Sequence, residues 1–161
     1  SNEKMDWIIQ KSVELGVSTI IPVYSERSII KLKDDRAEKK LSHWKQIIQS
    51  ACEQCGRSKV PEIFVPKKLD TFWSNENISA KKHLKLILSP LAQHSLNSIL
   101  MARASSVDIM IGPEGGFANE EIICAEKHGF IPINLGPRIL RTETAPLTIL
   151  SLLQYKYGDF V

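Results

Sequence analysis

Two segments that combine loop residues with charged side chains constrain the fold of this chain more than any other feature. They read IGPEGGF at positions 111–117 and LGPRILRTETA at positions 135–145. Each follows a short apolar run typical of a strand and precedes a helical pattern. We therefore expect each at the carboxyl end of a strand in an open α/β sheet, where such sheets bind ligands. A turn needs only one or two special residues, so the additional Glu114, Arg138 and Arg141 indicate a site.

The spacing of the apolar residues predicts an alternation of helices and strands along the whole chain. In the first half the predicted elements are a helix over Met5–Val13, a strand over Val17–Val23, a long helix from Asp34 to Gly56 and a strand over Val60–Val65. In the second half they are strands over Leu84–Leu88, Val107–Ile111 and Ile131–Leu135 and helices over Ser95–Ala104, Asn119–His128 and Ala145–Tyr155. This alternation is typical of an α/β fold, a mostly parallel sheet with helices on both faces.

The composition is that of one globular domain. The 161 residues are 43% hydrophobic and 24% charged, which suffices for a core without disulfides. No apolar stretch approaches the roughly 18 residues of a membrane span, and no export signal leads the chain, so we expect a cytoplasmic protein. Residues 1–85 hold 16 Lys and Arg against 11 Asp and Glu. This basic half either contacts a polyanion or serves solubility alone, and the sequence leaves both interpretations open.

The last predicted helix carries apolar residues around most of its circumference. Leu147, Ile149, Leu150 and Leu152 lie on different sides of it at helical spacing. Such a helix must be covered on more than one side, and a partner subunit is one source of that cover.

Two motifs lie near the end of the long predicted helix. Cys52 and Cys55 form a C-x-x-C pair, but no second pair and no nearby histidine pair completes a zinc site. We predict no metal and two thiols packed in the core. Glu53, Gln54 and Arg57 carry groups that bind phosphates or base edges in other proteins. The spacing is equally compatible with Arg57 stabilising the helix C-terminus.

The sequence lacks the motifs of two classes of enzyme. The segment at 111–117 matches neither the dinucleotide-binding fingerprint nor the Walker A loop, which disfavours the binding of nucleoside triphosphates. No G-x-S-x-G nucleophile elbow is present, so hydrolysis through a covalent intermediate has no support.

Four segments together resemble the ribosomal small subunit methyltransferase E family, of the SPOUT class. They are SERS at 25–28, EQCGR at 53–57 and the two segments at 111–117 and 135–145. The resemblance implies transfer of a methyl group from S-adenosylmethionine to N3 of one uridine in the 16S rRNA of the small ribosomal subunit. It also implies a C-terminal trefoil knot and a homodimer whose interface borders the cofactor site.

The chain departs from that family in two places. Members usually begin with a PUA-like β-barrel, which is absent here, so residues 1–161 are expected to be the catalytic domain alone. Ala118 stands where the family often has a serine that caps the next helix, and we expect Asn119 to take over that cap.

The resemblance and the chemistry of the reaction together assign roles to individual residues. Arg141 and Arg138 are expected to stabilise charge on the uracil carbonyls. Glu114 or Glu143 accepts the N3 proton, although Glu143 suits fixing of the loop better. The residues expected around the methyl donor are Leu88, Ser89, Pro90, Gly112, Pro113, Glu114, Gly115, Gly116, Leu135, Gly136, Ile139, Leu140, Arg141, Thr144 and Ala145. Those expected to contact RNA are Arg27, Ser28, Gln54 and Arg57.

Two other functions remain open from the sequence. One is an RNA-binding module that keeps the cofactor pocket but is inactive alone. The other is methylation of tRNA by the same fold, which the EQCGR segment at 53–57 disfavours.

Overall fold

The computed structural model describes residues 2–28, 34–74, 83–100 and 103–160. The N-terminal part comprises α1 (Asn2–Glu14), β1 (Thr19–Ile20), β2 (Val23–Tyr24), α2 (Asp34–Cys55), β3 (Glu62–Ile63), β4 (Lys67–Lys68) and α3 (Leu69–Ser74). The C-terminal part comprises β5 (His83–Leu88), β6 (His94–Ser95), α4 (Leu96–Ile99), β7 (Ser106–Met110), α5 (Asn119–Lys127), β8 (Ile131–Asn134) and α6 (Thr144–Tyr157).

The N-terminal part packs α1 against α2 over two short parallel strand pairs. Strand β1 pairs with β3, and β2 pairs with β4. Pro22 separates β1 from β2 and Pro66 separates β3 from β4. The strands predicted over Val17–Val23 and Val60–Val65 are therefore shorter than expected, because a proline has no N–H to continue a ladder.

The apolar stripes of α1 and α2 form the core of this part. Ile9 and Val13 of α1 are fully buried against Trp44 and Ile48 of α2, and Ile63 of β3 joins them. The apolar spacing that predicted both helices is thus the spacing that buries them.

The C-terminal part is a four-stranded sheet in the order β6-β8-β5-β7, with every pair parallel. Strand β5 lies inside it and pairs on both sides, so that Leu86 faces Ile109 of β7 and Ile131 of β8. Leu86 and Ile87 are both fully buried. Neighbouring side chains in a strand point to opposite faces, so both faces of this sheet are covered.

Helices cover both faces, as the sequence predicted. Leu86 packs in one core with Ile149 and Leu153 of α6. Ile87 packs in another with Ala125 of α5 and Trp73 of α3. The α/β fold class and the mostly parallel sheet are confirmed. Within the described residues, no helix is both long and apolar enough to cross a membrane.

Several predicted elements differ from those observed. The helix expected over Ser95–Ala104 is a single turn, Leu96–Ile99, and residues 101 and 102 of that prediction lie outside the described residues. The sequence analysis did not predict α3 or β6. Asn119 does not cap α5, since it is the first residue of the helix and Ala118 is the cap. The Glu121 carboxylate accepts the Ala118 N–H at 2.8 Å, which is the half of a capping box that needs no side chain at position 118.

Two side chains join the C-terminal end of α1 to distant parts of the chain. Gln154 of α6 donates from Nε2 to the Leu15 carbonyl at 3.0 Å. Arg57 donates from Nη1 to the carbonyls of Val13 at 2.8 Å and Val17 at 2.9 Å. Arg57 therefore stabilises the C-terminus of α1, where the helix dipole favours a cation, and not the end of its own helix.

The two cysteines of the C-x-x-C pair have different surroundings. Cys52 is buried in the core of α1 and α2, as predicted. Cys55 is exposed, so its placement in the core was wrong. Three residues advance a helix by about 300°, which turns the second thiol off the buried stripe. Among the described residues, no group of three or more Cys, His, Asp or Glu side chains comes together to hold a metal.

Replacing the two cysteines separately should therefore have unequal effects. Cys52→Ser places a hydroxyl in an apolar site and should lower the free energy of unfolding by about 1–3 kcal/mol. Cys55→Ser should change the free energy of unfolding by no more than about 0.5 kcal/mol, as surface substitutions do. Urea denaturation followed by circular dichroism measures both. Equal losses in the two variants would contradict the assignment.

Candidate active site

Three loops meet at one edge of the four-stranded sheet. They follow β5, β7 and β8, which are adjacent and parallel, so their carboxyl ends lie side by side. The Ser89 N–H donates to the Ile133 carbonyl at 2.9 Å. Asn134 Nδ2 donates to the Ala92 carbonyl at 2.7 Å. These two bonds join the loop after β5 to the end of β8.

The loop after β7 is a tight turn over a buried ring. The Gly116 N–H donates to the Pro113 carbonyl at 2.8 Å, and Gly116 has a positive φ of 70° that other residues rarely adopt. Phe117 is buried beneath the turn, and a Cβ on Gly112 would lie 3.1 Å from its ring. Arg27 donates from Nη1 to the Gly115 carbonyl at 2.7 Å. The loop is thus held from below and from the side.

The loop after β8 is fixed at both ends. Gly136 has a φ of 94°, and its N–H donates to Asn134 Oδ1 at 3.1 Å. At the other end, the Arg141 carbonyl accepts the N–H groups of Thr144 and Ala145 at 3.0 Å each, which starts α6. Ile139 between these ends is 82% exposed.

A cluster of charges joins the loops after β7 and β8. Lys4 of α1 forms an ion pair with Glu114 and lies 3.9 Å from Glu143 Oε2. The hydrogen bond from Lys4 lowers the pKa of the Glu114 carboxyl, and Coulomb attraction adds to it. The same hydrogen bond raises the pKa of Lys4, while the charge of Arg141 opposes that shift. Two carboxylates and two cations therefore lie together at the strand ends.

Two buried acceptor oxygens in the loop after β8 lack a hydrogen-bond partner among the described residues. They are Thr142 Oγ1 and Glu143 Oε2. An unpaired buried polar atom costs free energy unless a ligand or water satisfies it. Such atoms suit a ligand that carries N–H and O–H donors.

The structure brings together the residues predicted around the methyl donor. They lie at the end of β5, on the three loops and on the first turn of α6. Arg138, Arg141 and Glu114, predicted to be catalytic, are exposed on two of these loops.

The residues predicted to contact RNA separate into two places. Arg27 lies beside the loop after β7, and Ser28 bonds to the Ser25 N–H at 2.9 Å nearby. Gln54 and Arg57 lie near the opposite end of α1. From Lys4 to Val13 the helix rises about 14 Å.

The sequence analysis missed Lys4. Its partner Glu114 is 110 positions away in the chain. A lysine on the exposed side of an amphipathic helix carries no local signal of such a contact.

The chain is similar to known proteins over nearly its whole length. The chain is 45% identical over 158 residues to the ribosomal RNA small subunit methyltransferase E of Buchnera aphidicola from Schizaphis graminum, covering 98% of this chain and 63% of that protein. It is 34% identical to the protein of the same name from Bacillus subtilis, covering 96% and 62%. The chain thus spans about three fifths of the length of these relatives.

A solved structure with the same name is also similar. This is the ribosomal RNA small subunit methyltransferase E of Neisseria gonorrhoeae bound to S-adenosyl methionine, with a TM-score of 0.88 and 41% identity, covering 100% of this chain and 64% of that one. The family described as the RNA methyltransferase domain matches residues 1–154. The chain therefore belongs to the RNA methyltransferase domain family.

Proposed function

We propose that this chain is the catalytic domain of a methyltransferase that transfers a methyl group from S-adenosylmethionine to N3 of a uridine in 16S rRNA of the small ribosomal subunit. The observation that carries the proposal is the meeting of three loops at the carboxyl ends of β5, β7 and β8 in a member of the RNA methyltransferase domain family. The relatives named ribosomal RNA small subunit methyltransferase E support RNA of the small ribosomal subunit as the substrate.

The residues present fit S-adenosylmethionine. Gly116 lets the backbone approach an adenosine closely, because the position of its missing Cβ is open, whereas those of Gly112 and Gly115 face Phe117 and Arg27. Leu88, Ser89, Pro90, Leu135, Gly136, Ile139 and Leu140 supply mostly apolar and backbone groups around it. The unpaired Oγ1 of Thr142 suits a hydroxyl or ammonium donor of the ligand.

When bound, S-adenosylmethionine supplies a methyl group already activated by its sulfonium. The chain needs mainly to align uracil N3 with that methyl group and to favour the deprotonated ring. Arg141 and Arg138 are exposed beside the loop after β8, and a guanidinium there stabilises negative charge on the ring carbonyls. The uridine leaves its stack to enter the site.

The charge cluster distinguishes the two candidate proton acceptors. Glu114 is engaged by Lys4, which lowers the pKa of its carboxyl and weakens it as a base. Glu143 Oε2 lies 3.9 Å from the same lysine, beyond hydrogen-bond distance, and has no hydrogen-bond partner among the described residues. Glu143 is therefore the better acceptor of the N3 proton, and Glu114 fixes the loop, which reverses the roles expected from the sequence.

The finer architecture belongs to the same proposal. It comprises the SPOUT class, a C-terminal trefoil knot, action in the cytoplasm and a homodimer. The dimer is supported by the exposed apolar residues Leu152 and Tyr155, three positions apart on one side of α6 and 40% and 68% exposed. Leu91 and Ile139 on the loops are exposed further still, at 89% and 82%. A second copy would cover this surface next to the site.

Light scattering at micromolar concentration should give twice the mass of the chain. The buried interface is expected in the obligate size class of about 2,000 Å² or more. Tyr155→Lys should shift the protein to the monomer, because it places a charge in the apolar contact. Ile123→Lys, on the exposed side of α5, is the matched control and should remain dimeric. A monomeric unmodified chain would refute the dimer.

The ion pair between Lys4 and Glu114 makes the stability of the fold depend on pH. Glu114 stabilises the folded state at a pH above its ordinary pKa of 4.5, and this stabilisation is lost as the pH falls through its lower folded pKa. Lys4 stabilises the folded state at a pH below its ordinary pKa of 10.5, and this stabilisation is lost as the pH rises through its higher folded pKa. Lys4→Met should raise the Glu114 pKa towards 4.5 in an NMR titration of the side-chain carboxyl. Lys11→Met, on the same helix, should leave it unchanged. An unshifted Glu114 in Lys4→Met would mean that the pair is absent in solution.

Calorimetry with S-adenosylmethionine and methyl transfer to small ribosomal subunits that lack the modification test the activity. Arg141→Ala should lower the single-turnover rate by about two to three orders of magnitude, as the loss of an oxyanion-type donor does, with a much smaller change in donor affinity. Arg103→Ala, which precedes β7 at the opposite edge of the sheet, is the control.

The other results each contradict a different part of the proposal. Donor binding without transfer would make the chain an inactive RNA-binding module, and transfer to tRNA alone would change the substrate. A near-normal rate in Arg141→Ala would remove that residue from catalysis.

A further inference from the structure

A groove lies between α2 and β3, away from the strand-end loops. We call it the α2–β3 groove, and it is lined by Lys45, Gln49, Cys52, Arg57, Val60 and Phe64 among others. Its volume is about 650 Å³. No step of the proposed methyl transfer uses it.

The wall of the groove exposes large apolar side chains. Val60 is 56% and Phe64 is 42% exposed. Phe64 follows β3, and its N–H donates to the Ile20 carbonyl at 3.2 Å, which fixes the backbone beneath the ring. Ile21, next to that carbonyl, is 40% exposed as well. Exposed apolar residues that are grouped in this way mark a binding surface more often than isolated ones do.

The surroundings of the ring are basic. Lys67 Nζ lies 5.8 Å from the centre of the Phe64 ring, within the range of a cation–π contact. Residues 59–68 hold three lysines, including the exposed Lys59 and Lys68, against one carboxylate. An exposed aromatic ring among lysines is the arrangement on which proteins stack single-stranded nucleic acid bases while the lysines hold the phosphates.

Within the lining of the groove itself, carboxylates balance the cations. Glu53 and Glu62 are among its lining residues. Glu53 accepts a hydrogen bond from Gln49 at 3.2 Å on the surface of α2. Lys45 and Arg57 line the same groove, so its lining is balanced and the excess of positive charge comes from the lysines around Phe64.

The groove is connected to the candidate active site through one rigid helix. Arg57 in its wall bonds to the Val13 carbonyl at the end of α1, and Lys4 near the start of α1 pairs with Glu114. The two contacts are separated by about 14 Å of helix. Helix α1 therefore contacts both a wall residue of the groove and a loop of the candidate active site.

We propose that the α2–β3 groove binds a single-stranded segment of the RNA substrate, with one base stacked on Phe64 and its phosphates held by Lys67 and neighbouring lysines. This inference rests on the proposed function, because it locates part of the substrate of that same site. It also relocates the RNA contact predicted at Arg57. The Arg57 guanidinium holds the end of α1, and the surface that meets the RNA is the ring and lysines beside it.

Fluorescence anisotropy with a labelled oligouridylate tests the stacking. Phe64→Leu keeps an apolar side chain but has no ring, and its affinity should fall about tenfold, in the range found for the loss of one stacked base. Phe64→Trp should bind at least as tightly as the unmodified chain. Lys67→Gln should reduce the slope of log affinity against log salt concentration by about 0.7, the value for one phosphate of a single strand.

The controls separate this inference from the proposed function. Ile123→Ala removes an equally exposed apolar side chain on α5 and should bind RNA normally. S-adenosylmethionine affinity, measured by calorimetry, and the melting temperature should be unchanged in Phe64→Leu. Loss of oligouridylate binding in Phe64→Leu alone supports the groove even if the chain transfers no methyl group. Normal RNA affinity in Phe64→Leu would overturn the proposal, even if the chain is an active methyltransferase. The groove would then be a binding surface for a protein partner.

Discussion

The pairing of β5 with a parallel strand on each side is the contact on which the candidate site depends. Leu86 faces Ile109 on one side and Ile131 on the other. Since all three strands run in one direction, their carboxyl ends come to the same edge, and the loops that follow them have no other place to lie. A register shift in either pair would move one loop by a residue and turn its side chains to the other face.

The loops themselves are held by groups that come from elsewhere in the chain. Arg27 holds the carbonyl of Gly115, Lys4 holds Glu114, and Glu121 holds both the Ala118 N–H and the Glu26 N–H. The N-terminal part thus positions the site as well as adding to the core. This arrangement suits a reaction that depends on alignment more than on acid or base strength.

The elements that the sequence predicted well are those with a local cause. The apolar residues of α2, such as Trp44 and Ile48, recur at helical spacing on one buried face. The helix therefore ends within a residue of its predicted end. Contacts between residues that are far apart in the chain have no such local pattern in the sequence. Arg57 was assigned to its own helix or to RNA, whereas it bonds to α1, and Lys4 was not singled out at all. Pairing across the chain depends on topology, which local spacing does not encode.

The bond from Gln154 to the Leu15 carbonyl spans 139 positions of the chain. It makes the packing of α1 on α6 a contact of very high sequence separation, and such contacts slow folding because a long loop must close before they form. The cap on the Leu15 carbonyl therefore forms only after residue 154 has been synthesised, whereas the backbone bonds of α1 are local. Ile9 and Val13 are covered by Trp44 and Ile48 of α2 and by Ile63 of β3, so the core of the N-terminal part does not wait for α6, and the two parts of the fold can join after each has collapsed.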